Sequence, residues 1–181
     1  MNPELEPSRF PRVPFARRAS AFVLDFLVAW IISGFAASNA FIQGTIFLLV
    51  WWISRVLIVE RNRGQSLGRW CFDLAVLDAR LGRPAVSEVL LKREAIAGGT
   101  ALLAMAGLTI NLGNPISMLL LLAPVLVDGG AAYAGESEDL ALHDRFSETV
   151  VVASRRGISL DLRLKALWQE IQIFIRDRTS S

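Results

Sequence analysis

Two long stretches of this chain carry no charged residue. Residues 26–54 form a run of 29 positions without Asp, Glu, Lys or Arg, and residues 95–127 form a run of 33. A helix needs about 20 apolar residues to cross the hydrocarbon core of a bilayer. Each run is too long for one ordinary span and slightly short for two spans with a turn. Break signals near both centres favour two spans per run. The first holds Ser38-Asn39 and Gln43-Gly44, the second Asn111-Leu112-Gly113-Asn114-Pro115. Proline lacks an N–H and disfavours helix in the residue before it. The pattern predicts an all-α membrane protein with four transmembrane helices in two hairpins, at about 19–37, 41–59, 95–110 and 116–134.

The positive charges agree with that layout. Of 19 Lys and Arg residues, four precede the first span, Arg55 lies within the second, seven fall between Arg61 and Arg93, and seven follow Asp128. The short connections at 38–40 and 111–114 carry none. Positive residues mark the cytoplasmic side, so both termini are expected there. A two-span layout would put the terminal positives opposite the central ones.

Composition narrows the function classes. The chain is 53% hydrophobic and 20% charged, with a mean hydropathy of +0.44, too apolar for the outer layer of a soluble domain. One cysteine, Cys71, excludes a disulfide framework within the chain, and one histidine, His143, speaks against a histidine metal cluster. A net charge of +2 gives no reason to expect nucleic acid. No cofactor, metal or catalytic residue is expected.

Full-length spans draw charges below the membrane surface. Asp25, Arg55 and Asp128 each fall five to six residues from the cytoplasmic end of a predicted helix, about 7–9 Å deep at 1.5 Å per residue. A charge there should face the bundle interior and find a partner. Asp25, Arg55 and Asp128, with Arg18 just below, form the candidate charge cluster. A structural ion pair is the plainer reading and a proton or cation pathway the sharper one. The second and third spans carry no deep acid in this reading.

The cytoplasmic parts are short. Gly64 and Gly68, four apart, lack the Lys-Ser/Thr of a phosphate loop and read as a turn at the membrane surface. Residues 71–78 alternate in part and read as a short strand ending in a Gly82-Arg83-Pro84 turn. Ser87 reads as an N-cap of the third helix, with Lys92 and Arg93 at anionic headgroups. His143 beside Asp144 invites an acid–base reading, but neighbours on a helix do not face each other. A polar contact with the 60–94 loop is the default for it. Beyond residue 158, Leu160, Leu164, Leu167, Trp168, Ile171, Phe174 and Ile175 keep helical spacing. That amphipathic tail helix is suited to the protein's own surface, to the lipid interface, or to a protein partner or second copy.

Four elements, in order, resemble the RDD family of bacterial multi-span membrane proteins. The first is Arg18, Ala21 and Asp25 at the entry to the first span. The second is Gly64-Gln65-Ser66-Leu67-Gly68-Arg69, followed by Leu74-Ala75-Val76-Leu77-Asp78 and Gly82. The third is Arg93, and the fourth is Leu142-His143-Asp144-Arg145 with Thr149-Val150-Val151. Gly64, Ser66, Gly68, Arg93, His143 and Asp144 are thus candidate family-motif residues. Arg18 and Asp25 match the arginine and first aspartate of the family name, and Asp128 and Asp144 both answer to the second. The resemblance covers about Arg18 to Val152 and implies a multi-span bundle in the cytoplasmic (inner) membrane; the chain is read as a cytoplasmic segment 1–17, the RDD-like four-helix membrane domain 18–152, and a cytoplasmic tail 153–181 outside the resemblance. The resemblance implies little about activity, although sodium–proton exchange has been suggested for some members. The expected role is a non-enzymatic accessory, assembly or scaffolding subunit in contact with lipid. The alternative is a cation or proton transporter using intramembrane aspartates.

Overall fold

In the computed structural model of the protein, residues 13–37, 39–111, 113–134, 140–154 and 169 are described. Four long helices dominate. Helix α1 (Phe15–Ala36) turns at Asn39, whose side chain accepts the Ile42 N–H and caps α2 (Ala40–Arg61). Helix α4 (Ser87–Ile110) and α5 (Pro115–Ala134) form the second hairpin. Pro115 opens α5 at the first helical position, where its missing N–H removes nothing. Among the described residues, three helices are long and apolar enough to cross a membrane: Phe15–Ala36, Ala40–Arg61 and Pro115–Tyr133. Helix α4 is not among them, since Glu88, Lys92, Arg93 and Glu94 crowd its first eight residues.

The rest of the described chain closes one end of the bundle. Helix α3 (Leu67–Cys71) is a single turn capped by the Ser66 hydroxyl. Strand β1 (Leu74–Asp78) follows, within the 71–78 segment whose alternation predicts it. It pairs antiparallel with β2 (Thr149–Ala153), Val76 opposite Val151, after the short helix α6 (Leu142–Ser147). The second strand was not expected from the sequence. Gly64 sits at φ +87°, a conformation glycine adopts freely, and its carbonyl accepts the Val76 N–H at 2.9 Å. Ser87 is not the N-cap of α4. Val86 occupies that position, and the Ser87 hydroxyl and N–H both bond the Glu60 carboxylate. The tail helix beyond residue 158 lies outside the described residues, Gln169 excepted.

Two apolar cores stack along the bundle. Phe26, Ala29, Phe47, Trp51, Ala97, Ala101 and Met105 fill the space among α1, α2 and α4. Small residues let α4 approach closely, so that a Cβ on Gly98 would fall 2.9 Å from the Trp51 ring. The second core gathers Ala21, Val56, Val59, Leu74, Val76, Leu90 and Val151 around the β-hairpin. Outward-facing positions are also apolar, Phe35, Phe41, Leu49 and Leu126 among them, as expected of helices in contact with lipid.

Candidate functional site: a buried charge layer

Between the two cores lies a layer of ionised side chains. On α1, Asp25 falls between Ala21 of one core and Phe26 of the other. On α2, Arg55 falls between Trp51 and Val56, and on α4, Arg93 and Glu94 fall between Leu90 and Ala97. Each helix therefore delivers its charge at the same level. At Arg55 the helix widens into a π-turn, Ile53–Leu57, a feature that re-aims side chains at functional positions.

Glu94 is the hub. Its Oε2 accepts from Arg55 Nε at 2.8 Å and from Trp51 Nε1 at 3.1 Å. Its Oε1 accepts from Arg93 Nη1 at 2.7 Å and Arg69 Nη2 at 3.1 Å. Arg55 also donates from Nη1 to Asp25 Oδ2 at 2.7 Å, with its guanidinium 4.7 Å from the Trp51 ring centroid, in cation–π range. Asp25 takes two further bonds from the Gly64–Arg69 stretch, from the Ser66 hydroxyl at 2.6 Å and the Gly68 N–H at 2.7 Å.

Arg93 carries the network onward. Its Nε and Nη2 donate to Asp144 Oδ1 at 3.0 and 2.9 Å, and Arg18 closes on Asp144 Oδ2. Arg93 Nη2 also meets His143 Nε2 at 2.9 Å, and His143 Nδ1 meets Asp128 Oδ2 at 2.5 Å. A guanidinium only donates, so Nε2 accepts and the ring proton sits on Nδ1, facing Asp128. The layer holds four arginines (18, 55, 69, 93) against four carboxylates (25, 94, 128, 144), a balanced set with neutral imidazole.

Several sequence expectations change here. Arg93 does not sit at the headgroups; it is 2% exposed. Asp128 does not join Asp25 and Arg55 directly, since His143 holds it and Arg93 links the two halves. Arg18 lies against Asp144 rather than Asp25. Helix α1 begins at Phe15, which sets Asp25 ten residues into it, about 15 Å along the axis. Gly64, Gln65, Ser66 and Gly68 are buried, Leu67 is exposed, and the stretch supplies ligands to Asp25, so it is more than a surface turn. His143 Nδ1 meets Asp128 and Asp144 Oδ2 meets Arg18, while Arg93 meets both residues and His143 Nε2 lies 3.5 Å from Asp144 Oδ1.

Glu94 was missed altogether: the third long helix does hold a buried acid, whereas the second holds none. A signal for it was present. Leu90, Glu94, Ala97, Ala101 and Ala104 follow a 4-3-4-3 spacing, which puts Glu94 on the face that small residues mark as a packing face.

Burial on its own would raise the Asp144 carboxyl. The cations opposite it, Arg93 first, outweigh burial and hold it below the usual carboxylate range. For a group depressed in the folded state, the stabilisation is present above its unfolded value near 4 and is lost as pH falls through the folded one. The Asp144 contribution to thermal stability in detergent is therefore expected to hold from neutral pH down to about 4 and to be lost below it. Asp144→Asn should melt lower at neutral pH and lose less on acidification. An unchanged acid slope in that variant would remove Asp144 from the acid response.

Three long apolar helices around a buried, charge-balanced layer define a helical multi-pass membrane protein. The family model described as RDD family matches residues 12–148, most of the chain, and the chain belongs to that family. No curated protein and no solved structure matches it. The motif residues Ser66, Gly68, Arg93, His143 and Asp144, far apart in sequence, all enter the one charge layer.

Proposed function

We propose that the chain is a four-span protein of the cytoplasmic membrane, with both termini cytoplasmic, that acts without catalysis as an accessory or assembly subunit. The observation that carries this reading is saturation of the acids. Both oxygens of Asp25, Glu94, Asp128 and Asp144 accept at least one hydrogen bond, mostly from arginine. A carrier needs an acid that frees itself in each cycle, and a carboxylate clamped by two or three donors is suited to fixing helices in place. Support for α4 as the fourth span comes from its 24 residues, about 36 Å of helix, and from its packing between α2 and α5.

Cation or proton transport through intramembrane aspartates is the second reading. It is favoured by a crevice between α1 and α5 whose lining includes Asp128 and His143. Reconstituted wild-type protein should carry no proton or sodium flux, and Asp25→Asn should lower the melting temperature. Flux that Asp128→Asn abolishes while the melt is kept would establish the transporter instead. In mild detergent the accessory reading expects a defined complex with another membrane protein, and a lone monomer would sink it. Reporter fusions at Asn39 and at the C-terminus test the topology independently.

A further inference from the structure

The crevice between α1 and α5 has an unusual division of surface. Its walls are apolar, with Phe22 and Phe26 of α1 facing Leu122 and Val125 of α5, and its volume is about 630 Å³. That lies within the roughly 300–1,000 Å³ of small-molecule sites. One end is charged, where Arg18, Arg55, Arg69 and Arg93 reach the lining together with Asp128 and His143. Its flanks, Val23, Leu126 and Tyr133, are exposed on the outer surface of the bundle, where acyl chains would lie.

The residual hydrogen-bonding capacity at that end is donor in character. The four carboxylates have every oxygen engaged. Among the described residues, two buried side-chain atoms lack a partner, Gln65 Oε1 and Arg69 Nη1, and of these residues only Arg69 lines the crevice. Arg69 is 3% exposed, and its Nη2 bond to Glu94, at 3.1 Å, is the longest arginine–carboxylate contact of the layer. Burial, with Arg55 and Arg93 close by, pushes its guanidinium down to about 9. The group is still charged at neutral pH, held among other cations and short of one acceptor.

We propose that this crevice binds one molecule of anionic phospholipid, its phosphate accepting from Arg69 and its acyl chain lying between Phe26 and Leu122. Arginine donates to phosphate oxygens in a geometry that carboxylates and phosphates share. Because Nη1 is covered, the phosphate engages it after a small swing of the side chain, and the long Nη2–Glu94 contact is the one that yields. The charged end lies on the side where positive residues gather, the leaflet rich in anionic lipid. The site goes beyond the accessory-subunit reading and does not depend on it, because it needs no protein partner.

Native mass spectrometry of the full-length chain from mild detergent tests this, with phosphatidylglycerol, phosphatidylcholine of matched chains, and inorganic phosphate added in turn. One phosphatidylglycerol should stay bound per chain and raise the melting temperature, with phosphatidylcholine weaker by roughly tenfold or more and phosphate without effect. Arg69→Gln should abolish the preference between the two lipids. Leu122→Trp, which fills the apolar end and leaves the charge layer intact, should expel the lipid while keeping the fold, so the test survives if Arg69→Gln fails to fold. Equal binding of both lipids would reduce the site to a plain apolar groove. Protection by phosphate alone would make it a free-anion site. A wild-type chain that binds no phospholipid, its crevice filled by its own segments or a second copy, would overturn the proposal, as would a Leu122→Trp variant that still holds phosphatidylglycerol.

Discussion

Glu94→Gln is expected to destabilise the protein more than any other single substitution in the charge layer. Glu94 is fully buried and bonds three arginines and the Trp51 indole. Removing one partner of a buried pair costs about 3–5 kcal/mol, because the remaining charge stays buried without compensation. Here three cations would be left facing a neutral amide whose NH₂ donates toward groups that also only donate. The loss should reach the upper end of that range or prevent accumulation of folded protein. Trp51→Phe grades the effect, since it removes one hydrogen bond to the same carboxylate and should cost about 1.5–3 kcal/mol. Thermal or denaturant unfolding in one detergent measures both. A Glu94→Gln protein within about 1 kcal/mol of wild type would mean that the arginines reach water or lipid headgroups, and the layer would lose its structural role.

The helices were legible in the sequence because charge exclusion from lipid is a strong, local rule. The two charge-free runs and the Asn111–Pro115 break locate both hairpins, with helix ends within about four residues of those observed except the start of α4, which the charge-free run alone puts eight residues late. Deep charges were legible one at a time, by their distance from the expected helix ends, and the Asp25–Arg55 pair follows from that. What could not be read was the partner of each charge. Asp128 pairs with His143 across a connection whose path the sequence does not specify, and Arg93 looked like a headgroup anchor because it sits at a run boundary. The start of α4 near Ser87 was legible, but not that its first turns are packed within the bundle, burying Arg93 and Glu94. The β-hairpin was half legible. Residues 71–78 alternate, whereas Thr149-Val150-Val151-Val152 is a continuous apolar run, ambiguous by period until its partner strand is known.

Gly68→Ala should be nearly as damaging, although it adds one methyl group. A Cβ at Gly68 would lie 2.1 Å from the Ala21 carbonyl oxygen and 2.9 Å from its carbon, both backbone atoms of α1. Those atoms cannot rotate away, so α3 must retreat from α1. Retreat pulls the Gly68 N–H from Asp25 Oδ1, now at 2.7 Å, and the Ser66 hydroxyl from Oδ2, now at 2.6 Å. Overpacking costs typically about 1–3 kcal/mol, and each hydrogen bond to a charged group about 1.5–3 kcal/mol. A total loss of about 3 kcal/mol or more is expected, with Asp25 left leaning on Arg55 alone. Gly99→Ala supplies the contrast. Nothing lies within 4 Å of a Cβ there, on the exposed face of α4, so alanine should be neutral or stabilise the helix by up to about 1 kcal/mol. Unfolding of the two variants in one detergent separates close packing from general glycine tolerance. Equal melting temperatures for Gly68→Ala and wild type would show that α3 is not held against α1, and the ligands assigned to Asp25 would have to be sought elsewhere.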